Sequence, residues 1–238
     1  SGAVKQGNYC ISLGPASGQF TQAGYGVAIG LYSGQYNQGS RSISIGYYSG
    51  QSFQSQSSIA IGYGAGQIYQ GIGATVGSST IAIGSNAGQA TQGLNSIAIG
   101  NLAGNILQQI NSISIGNNAG SINQGQGSIS VGNNAGSINQ GQYTVAVGYQ
   151  AGQNTQGSGA IAIGSGSTFK YSSSANQTLQ TGVISGAGNL TKDTDTSSVL
   201  TLSNTNTYTG VTTINAGTIS VGTIANGGSS SNLGAAAS

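Results

Sequence analysis

SINQGQGSISVGNNAGSINQGQ, residues 121–142, says nearly the same thing twice. SINQG at Ser121 returns at Ser137, and NNAG at Asn117 returns at Asn133, both after 16 residues. The same period extends outward in both directions. A short aliphatic motif ending in glycine recurs as ISLG, VAIG, ISIG, IAIG, ISVG and VAVG. Its glycines are Gly14, Gly30, Gly46, Gly62, Gly84, Gly100, Gly116, Gly132, Gly148 and Gly164. Every step is 16 residues except Gly62 to Gly84, which is 22 and places a six-residue insertion within 71–80, GIGATVGSST.

Two further columns accompany these glycines. A second glycine follows four residues later, from Gly18 to Gly152. A glutamine stands eight residues before each glycine outside the insertion: Gln6, Gln22, Gln38, Gln54, Gln92, Gln108, Gln124, Gln140 and Gln156, with Gln70 in the same place ahead of it. The consensus is (I/V)-(A/S)-(I/V)-G-x-x-(A/S)-G-Q-x-x-Q-G-x-x-S. The motif alternates with a period of two, and its β-branched residues favour a strand. Sixteen residues are too few for a helical repeat. They suit one coil of a narrow β-solenoid, with two short strands and turns in which glycine supplies positive φ or close backbone approach.

Stacked coils lie about 4.8 Å apart, so each residue sits over its own kind. The expected core is Ile on Ile and Val on Val. The glutamines are expected to form an amide hydrogen-bond ladder along the axis. A column of like charges at that spacing would repel, which suits the near absence of charge. Ten coils give a rod on the order of 50 Å long. The small residues of the motif, Ser12, Ala28, Ser44, Ala60, Ala82, Ala98, Ser114, Ser130, Ala146 and Ala162, form a flat column on the opposite face. That column suits a trimer interface, a wet surface or part of the core.

Composition narrows the function classes. Only 3% of the 238 residues are charged, the net charge is +2 and there is one proline. Between Gln6 and Phe169 the only charged side chain is Arg41. Phosphate-backbone binding needs several basic groups, so a nucleic-acid partner is not expected. No apolar run is long enough to span a bilayer as a helix. SGAVKQGNYC at the start lacks the apolar core of a signal peptide, so any signal has been removed or none existed. Cys10 is the single cysteine, which excludes an internal disulfide; it reads as a small side chain standing in for serine.

SIAIGNLAG and SISIGNNAG resemble the head repeats of YadA-like trimeric autotransporter adhesins, over about residues 6–168. The resemblance implies a left-handed parallel β-roll, three chains to a head, and adhesion to host or environmental surfaces. The period here, 16, is longer than is usual in that family. After Gly164 the period stops. Residues 169–178 read as a polar junction and 179–238 as a second unit of short strands. There, ISGAGNLTK, LTLSNTNTYTG, TTINAGTISVG and GGSSSNLGAA resemble an autotransporter passenger-associated transport repeat. That resemblance implies a right-handed β-helix coil and extracellular display. The fold class is therefore all-β: a β-roll over 1–168 continuing into a short β-helix.

Chemistry is sparse. Histidine is absent, and the only carboxylates are Asp193 and Asp195, beside Lys192. They are the candidates for a glycosidase pair or a calcium site, against an ordinary solvated turn. No cofactor or metal is expected, and no catalytic residue is assigned. The aromatic residues are the better surface candidates. Tyr32, Tyr36, Tyr47, Tyr48, Tyr63 and Tyr69 decorate the N-terminal half, where rings stack on sugars, contact proteins or stiffen turns. The expected function is a secreted or cell-surface structural and adhesive rod. Its expected partners are further copies of itself, as a homotrimer or end-to-end fibre, and a host, glycan or abiotic surface. An ice-binding solenoid fits less well, because Thr21, Thr91 and Thr155 share their column with Asn37, Phe53, Tyr69 and Leu107. A carbohydrate-active enzyme lacks the titratable groups.

Overall fold

In a computed structural model, residues 4–72, 79–179 and 182–235 are described. The aliphatic motifs form three-residue strands, from Ile11–Leu13 to Ile161–Ile163, which build an eleven-stranded parallel sheet completed by Ile184–Ser185. Like sits beside like: Ile81 pairs with Ile97, Ala82 with Ala98 and Ile83 with Ile99. The glutamine-bearing segments form a second parallel sheet of eight strands, from Lys5–Gln6 to Ile122–Gln124. The two sheets are the walls of a β-solenoid of 16-residue coils. The insertion leaves the aliphatic ladder in register, because Ile59 pairs with Ile81. In the glutamine sheet the register shifts beside it, at Gln92 and Gly93. Residues 73–78 of the insertion lie outside the described residues.

The expected core is inverted. In each aliphatic strand the middle residue points into the lumen. Ala28, Ser44, Ala60, Ala82, Ala98, Ser114, Ser130, Ala146 and Ala162 are fully buried. The flanking Ile and Val residues face outward and, Ile163 excepted, are half-buried or exposed, as at Ile115 (38% exposed) and Val147 (39%). Alternation was legible in the sequence, but hydrophobicity assigned it to the wrong face. The lumen is too narrow for two rows of branched side chains. It holds Ala and Ser from one wall and Gln from the other, with Ala65, Ala87, Ala103, Ala119, Ala135 and Ala151 lining a turn. The Ala/Ser column is therefore core, and the Ile/Val columns are the outer face.

Residues 169–178, expected as a polar junction, carry strand structure. Thr168–Ser172 and Gln177–Leu179 are strands, each the first rung of a three-stranded parallel sheet. Thr168 pairs with Asn189 and Leu190 with Thr212; Gln177 pairs with Leu200 and Val199 with Thr218. The wider coil has room for a conventional core of Ile184, Leu190, Leu200, Leu202 and Tyr208. The segment after Val221 folds back over its end. There Asn232 Oδ1 accepts from the Gly222 and Thr223 amides, and Asn206 forms an antiparallel bridge with Ser231.

Close axial stacking explains the motif glycine. At Gly100, φ is +129° and an added Cβ would lie 2.4 Å from the Gly116 carbonyl oxygen. Three other columns, two in turns and one within the glutamine-wall strands, hold non-glycine residues at positive φ. Asn occupies many of these positions in the C-terminal coils, as at Asn95, Asn118 and Asn123, where its short side chain tolerates the geometry, beside Leu102, Leu107, Tyr143 and Gln150. The N-terminal coils place aromatics there. Tyr9 and Tyr25, Tyr32 and Tyr48, and Phe53 and Tyr69 stack in pairs between adjacent coils, with centroids 5.2, 5.0 and 5.1 Å apart. Each left-handed residue costs about 1–2 kcal/mol, and each stacked pair returns about 0.5–1.5 kcal/mol. Gly100→Ala is expected to destabilise the fold by about 2–4 kcal/mol through strain and overpacking, measured by urea unfolding.

Candidate functional site

Two surfaces and one interior column carry the features singled out in the sequence. The glutamine column does align in a file, with Gln22 paired to Gln38, Gln38 to Gln54, Gln54 to Gln70, Gln70 to Gln92, Gln92 to Gln108, and Gln108 to Gln124. Gln140 and Gln156 meet in an isolated bridge. Gln6 is exposed at the first coil, and the rest are buried. Their amides mostly reach across the lumen and not along the axis. Gln38 Nε2 donates to the Val27 carbonyl at 2.7 Å, Gln70 to Ile59 at 2.7 Å, Gln92 to Ile81 at 2.8 Å and Gln124 to Ile113 at 2.8 Å. Among the described residues the axial contacts in this column are Gln6 to Gln22 (3.3 Å) and Gln108 to Gln124 (3.1 Å). Each glutamine is thus chiefly a brace between the walls.

An amide ladder does exist, one column away. Gln35 donates to Gln19, Gln51 to Gln35, Gln67 to Gln51, Gln89 to Gln67 and Asn105 to Gln89, at 2.9–3.1 Å. This is the first Gln of the G-Q-x-x-Q in the consensus. Shorter asparagine ladders run outside, from Asn133 to Asn117 to Asn101.

The Ala/Ser choice in the core decides whether each brace is satisfied. In three of the four rows where the lumen residue ten positions before the glutamine is serine, its hydroxyl donates to the amide oxygen; in the fourth, at Gln140, the Thr144 hydroxyl does so instead of Ser130. Ser12 bonds Gln22 and Ser44 bonds Gln54, both at 2.7 Å, and Ser114 bonds Gln124. Where that residue is alanine, the oxygen is buried without a partner: Gln38, Gln70, Gln92, Gln108 and Gln156 follow Ala28, Ala60, Ala82, Ala98 and Ala146. The glycine four residues after each motif makes room for the pair. A Cβ at Gly50 would meet Ser44 Oγ at 2.3 Å and Gln54 Cδ at 3.0 Å.

The candidate tyrosines cluster only in part. Tyr32, Tyr47, Tyr48 and Tyr63 form one group: Tyr32 stacks on Tyr48, Tyr47 stacks on Tyr63, and Tyr47 meets Tyr48 edge-on at 4.1 Å. The hydrogen bond with Tyr48 is the main cause that pushes the Tyr47 phenol up to about 12, with burial second. Tyr36 stacks on Phe20 and Tyr69 on Phe53, in separate columns. Stacked rings use their faces on each other and offer edges to solvent, which weakens the reading that they stack on sugars.

The carboxylates serve their own turn. Asp195 Oδ1 accepts from the Ser197 amide (2.7 Å), the Ser197 hydroxyl (2.6 Å) and the Ser198 amide (3.2 Å), and these bonds, the hydroxyl first, hold its pKa down. Asp193 pairs with Lys170 at 2.6 Å, which lowers its pKa, helped by the Thr194 amide. Lys192 is fully buried, with its Nζ on the Asp193 and Asp195 carbonyls (3.2 and 3.4 Å) and over the Tyr171 ring. Cys10 occupies the Ser/Thr column of Ser42, Ser96 and Ser112 and donates to the Ala23 carbonyl.

Comparison with known proteins finds no matching family model, no matching curated protein and no matching solved structure.

Two outcomes test this arrangement. Ala98→Ser supplies the missing donor to Gln108 and is expected to stabilise by about 0.5–1.5 kcal/mol, whereas Ser44→Ala orphans Gln54 and costs about 1–3 kcal/mol, both read by urea melts. The melting temperature is expected to stay level from about pH 5 to about pH 9. Asp193 and Asp195 have lowered pKa values, so their contribution is complete above the ordinary carboxylate pKa and is lost as pH falls through their folded values. Tyr47, whose pKa is raised, loses its contribution as pH climbs from about 10 toward the folded value.

Proposed function

We propose that this chain is a non-enzymatic structural rod of the cell exterior, which associates side by side with copies of itself and presents its other faces for attachment. The observation that carries the reading is the outer face of the aliphatic sheet. It is flat, uncharged, in register over successive coils, and built of two Ile/Val columns that the fold leaves partly open. A protein that buries alanine while exposing isoleucine has its hydrophobic payload turned toward a partner. At one end the chain covers its own column. Ile163 is only 8% exposed beneath Gly188, where an added Cβ would lie 2.3 Å from its Cγ2. The face therefore packs tightly once backbone lies against it.

Size supports the same reading. Ten coils at about 4.8 Å, with a face about 10 Å wide, give about 500 Å² per chain, or about 1,000 Å² per pair, near the lower bound for a specific interface. A homotrimer, as the resemblance of SIAIGNLAG to YadA-like heads implies, would enclose the aliphatic columns of all three chains around one axis. Cell-surface display rests on that resemblance and on the transport-repeat words after Leu179.

Sedimentation in dilute solution is expected to show a discrete oligomer. Ile83→Asp with Ile115→Asp, two coils apart so that the new charges are not stacked on each other, is expected to give a monomer with an unchanged far-ultraviolet spectrum, because both side chains project away from the lumen. A wild-type chain that is monomeric at all accessible concentrations would overturn the proposal.

A further inference from the structure

The two walls of the roll do not end together. The aliphatic sheet continues past Ile161–Ile163 to Ile184–Ser185, whereas the glutamine wall stops at the coil that carries Gln156. In the coil before, three amides point along the axis and donate to the next coil: Gly136 to the Ala151 carbonyl (2.8 Å), Ile138 to Gln153 (2.9 Å) and Gly141 to Gln156 (2.8 Å). Near the start of the roll, Gly18, Phe20 and Ala23 do the same to Ser33, Gln35 and Gln38. Their counterparts in the last coil are Gly152, Asn154 and Gly157, and none of the three has an acceptor among the described residues. Gly152 and Asn154 line a cleft of about 420 Å³, flanked by Tyr149, Thr155 and Ser185, and Gly157 lines a second of about 230 Å³, which adjoins the first at Gly152 and Thr155. Gln156, only 5% exposed, lines the second cleft with its amide oxygen unpartnered. No charged side chain lines either cleft.

We infer that this notch is a strand-addition site, which takes one extended, uncharged polypeptide segment parallel to residues 152–157. The spacing is the argument. Three donors, two and then three residues apart, are the pattern that peptide carbonyls satisfy in the coil before. An unpaired parallel edge is a template for another strand, and here the continuing aliphatic wall and the C-terminal coil restrict it to a single one. The neutral lining selects against charged sequences, because an incoming Lys or Asp would be desolvated without a counter-charge. The occupant that fits best has the form (A/S)-G-x-x-x-Q-G, as this chain's own rungs do. The inference is independent of the aliphatic face, which lies on the other wall.

The probe is a fluorescent peptide AGSINQG, the sequence of residues 135–141, titrated into the full chain and followed by anisotropy. Saturable binding is expected, at least tenfold weaker for the all-D peptide and for Asn154→Pro. That substitution removes a donor that has no acceptor among the described residues, so the far-ultraviolet spectrum should not change. Should the variant fold poorly, amide exchange in the wild-type protein reads the same event: Gly152, Asn154 and Gly157 are expected to exchange at least tenfold more slowly with peptide bound. Absence of binding, equal binding of the all-D peptide, or exchange slowed by maltohexaose and not by the peptide overturns the inference.

Discussion

The width of the lumen is the constraint on which the rest of this structure depends. Two walls stand close enough for one glutamine side chain to reach from its own strand to a main-chain carbonyl on the other, as Gln92 does to Ile81 at 2.8 Å. That reach leaves room opposite only for Ala or Ser. The isoleucines must then face outward, and the motif glycine must lie almost against the carbonyl of the next coil. A charged residue inside would lack a counter-charge, and one stacked along the outside would face its own kind every ~4.8 Å.

This core is stabilised differently from that of an ordinary domain. Burial of alanine contributes little apolar area, so hydrogen bonding across and along the walls carries more of the load. The five alanine rows with orphaned glutamine oxygens show that the braces are incompletely satisfied, while the serine rows show how the same backbone satisfies them. The C-terminal coil follows the usual plan. Its wider lumen encloses leucines, a tyrosine and a buried lysine solvated by main-chain carbonyls. The aliphatic surface left over on the roll is the seat proposed for association, and the interrupted glutamine wall is the smaller site proposed for strand addition.

What could be read from residues and what could not divide along physical lines. The period, the strands, the parallel register and the role of the glycines follow from repetition, because identical coils can stack only like over like. The face assignment failed, since alternation is symmetric and the tie was broken by hydrophobicity, which is a poor guide when the interior is narrower than an isoleucine pair. The direction of the glutamine amides failed for a related reason: stacking distance allowed an axial ladder, and only the opposite wall offered a better acceptor. The true ladder, from Gln19 to Asn105, was present in the consensus but indistinguishable from the braces without knowing which column faces in.

The sequence by itself therefore determined a neutral, in-register β-solenoid of 16-residue coils, since period and alternation are properties of the chain. Which side of each strand became interior, which amides brace and which run in file, and where one wall stops before the other were decided only in three dimensions. Those outcomes depend on the distance between the walls and on what stands across from each side chain, and neither quantity is encoded in any single repeat.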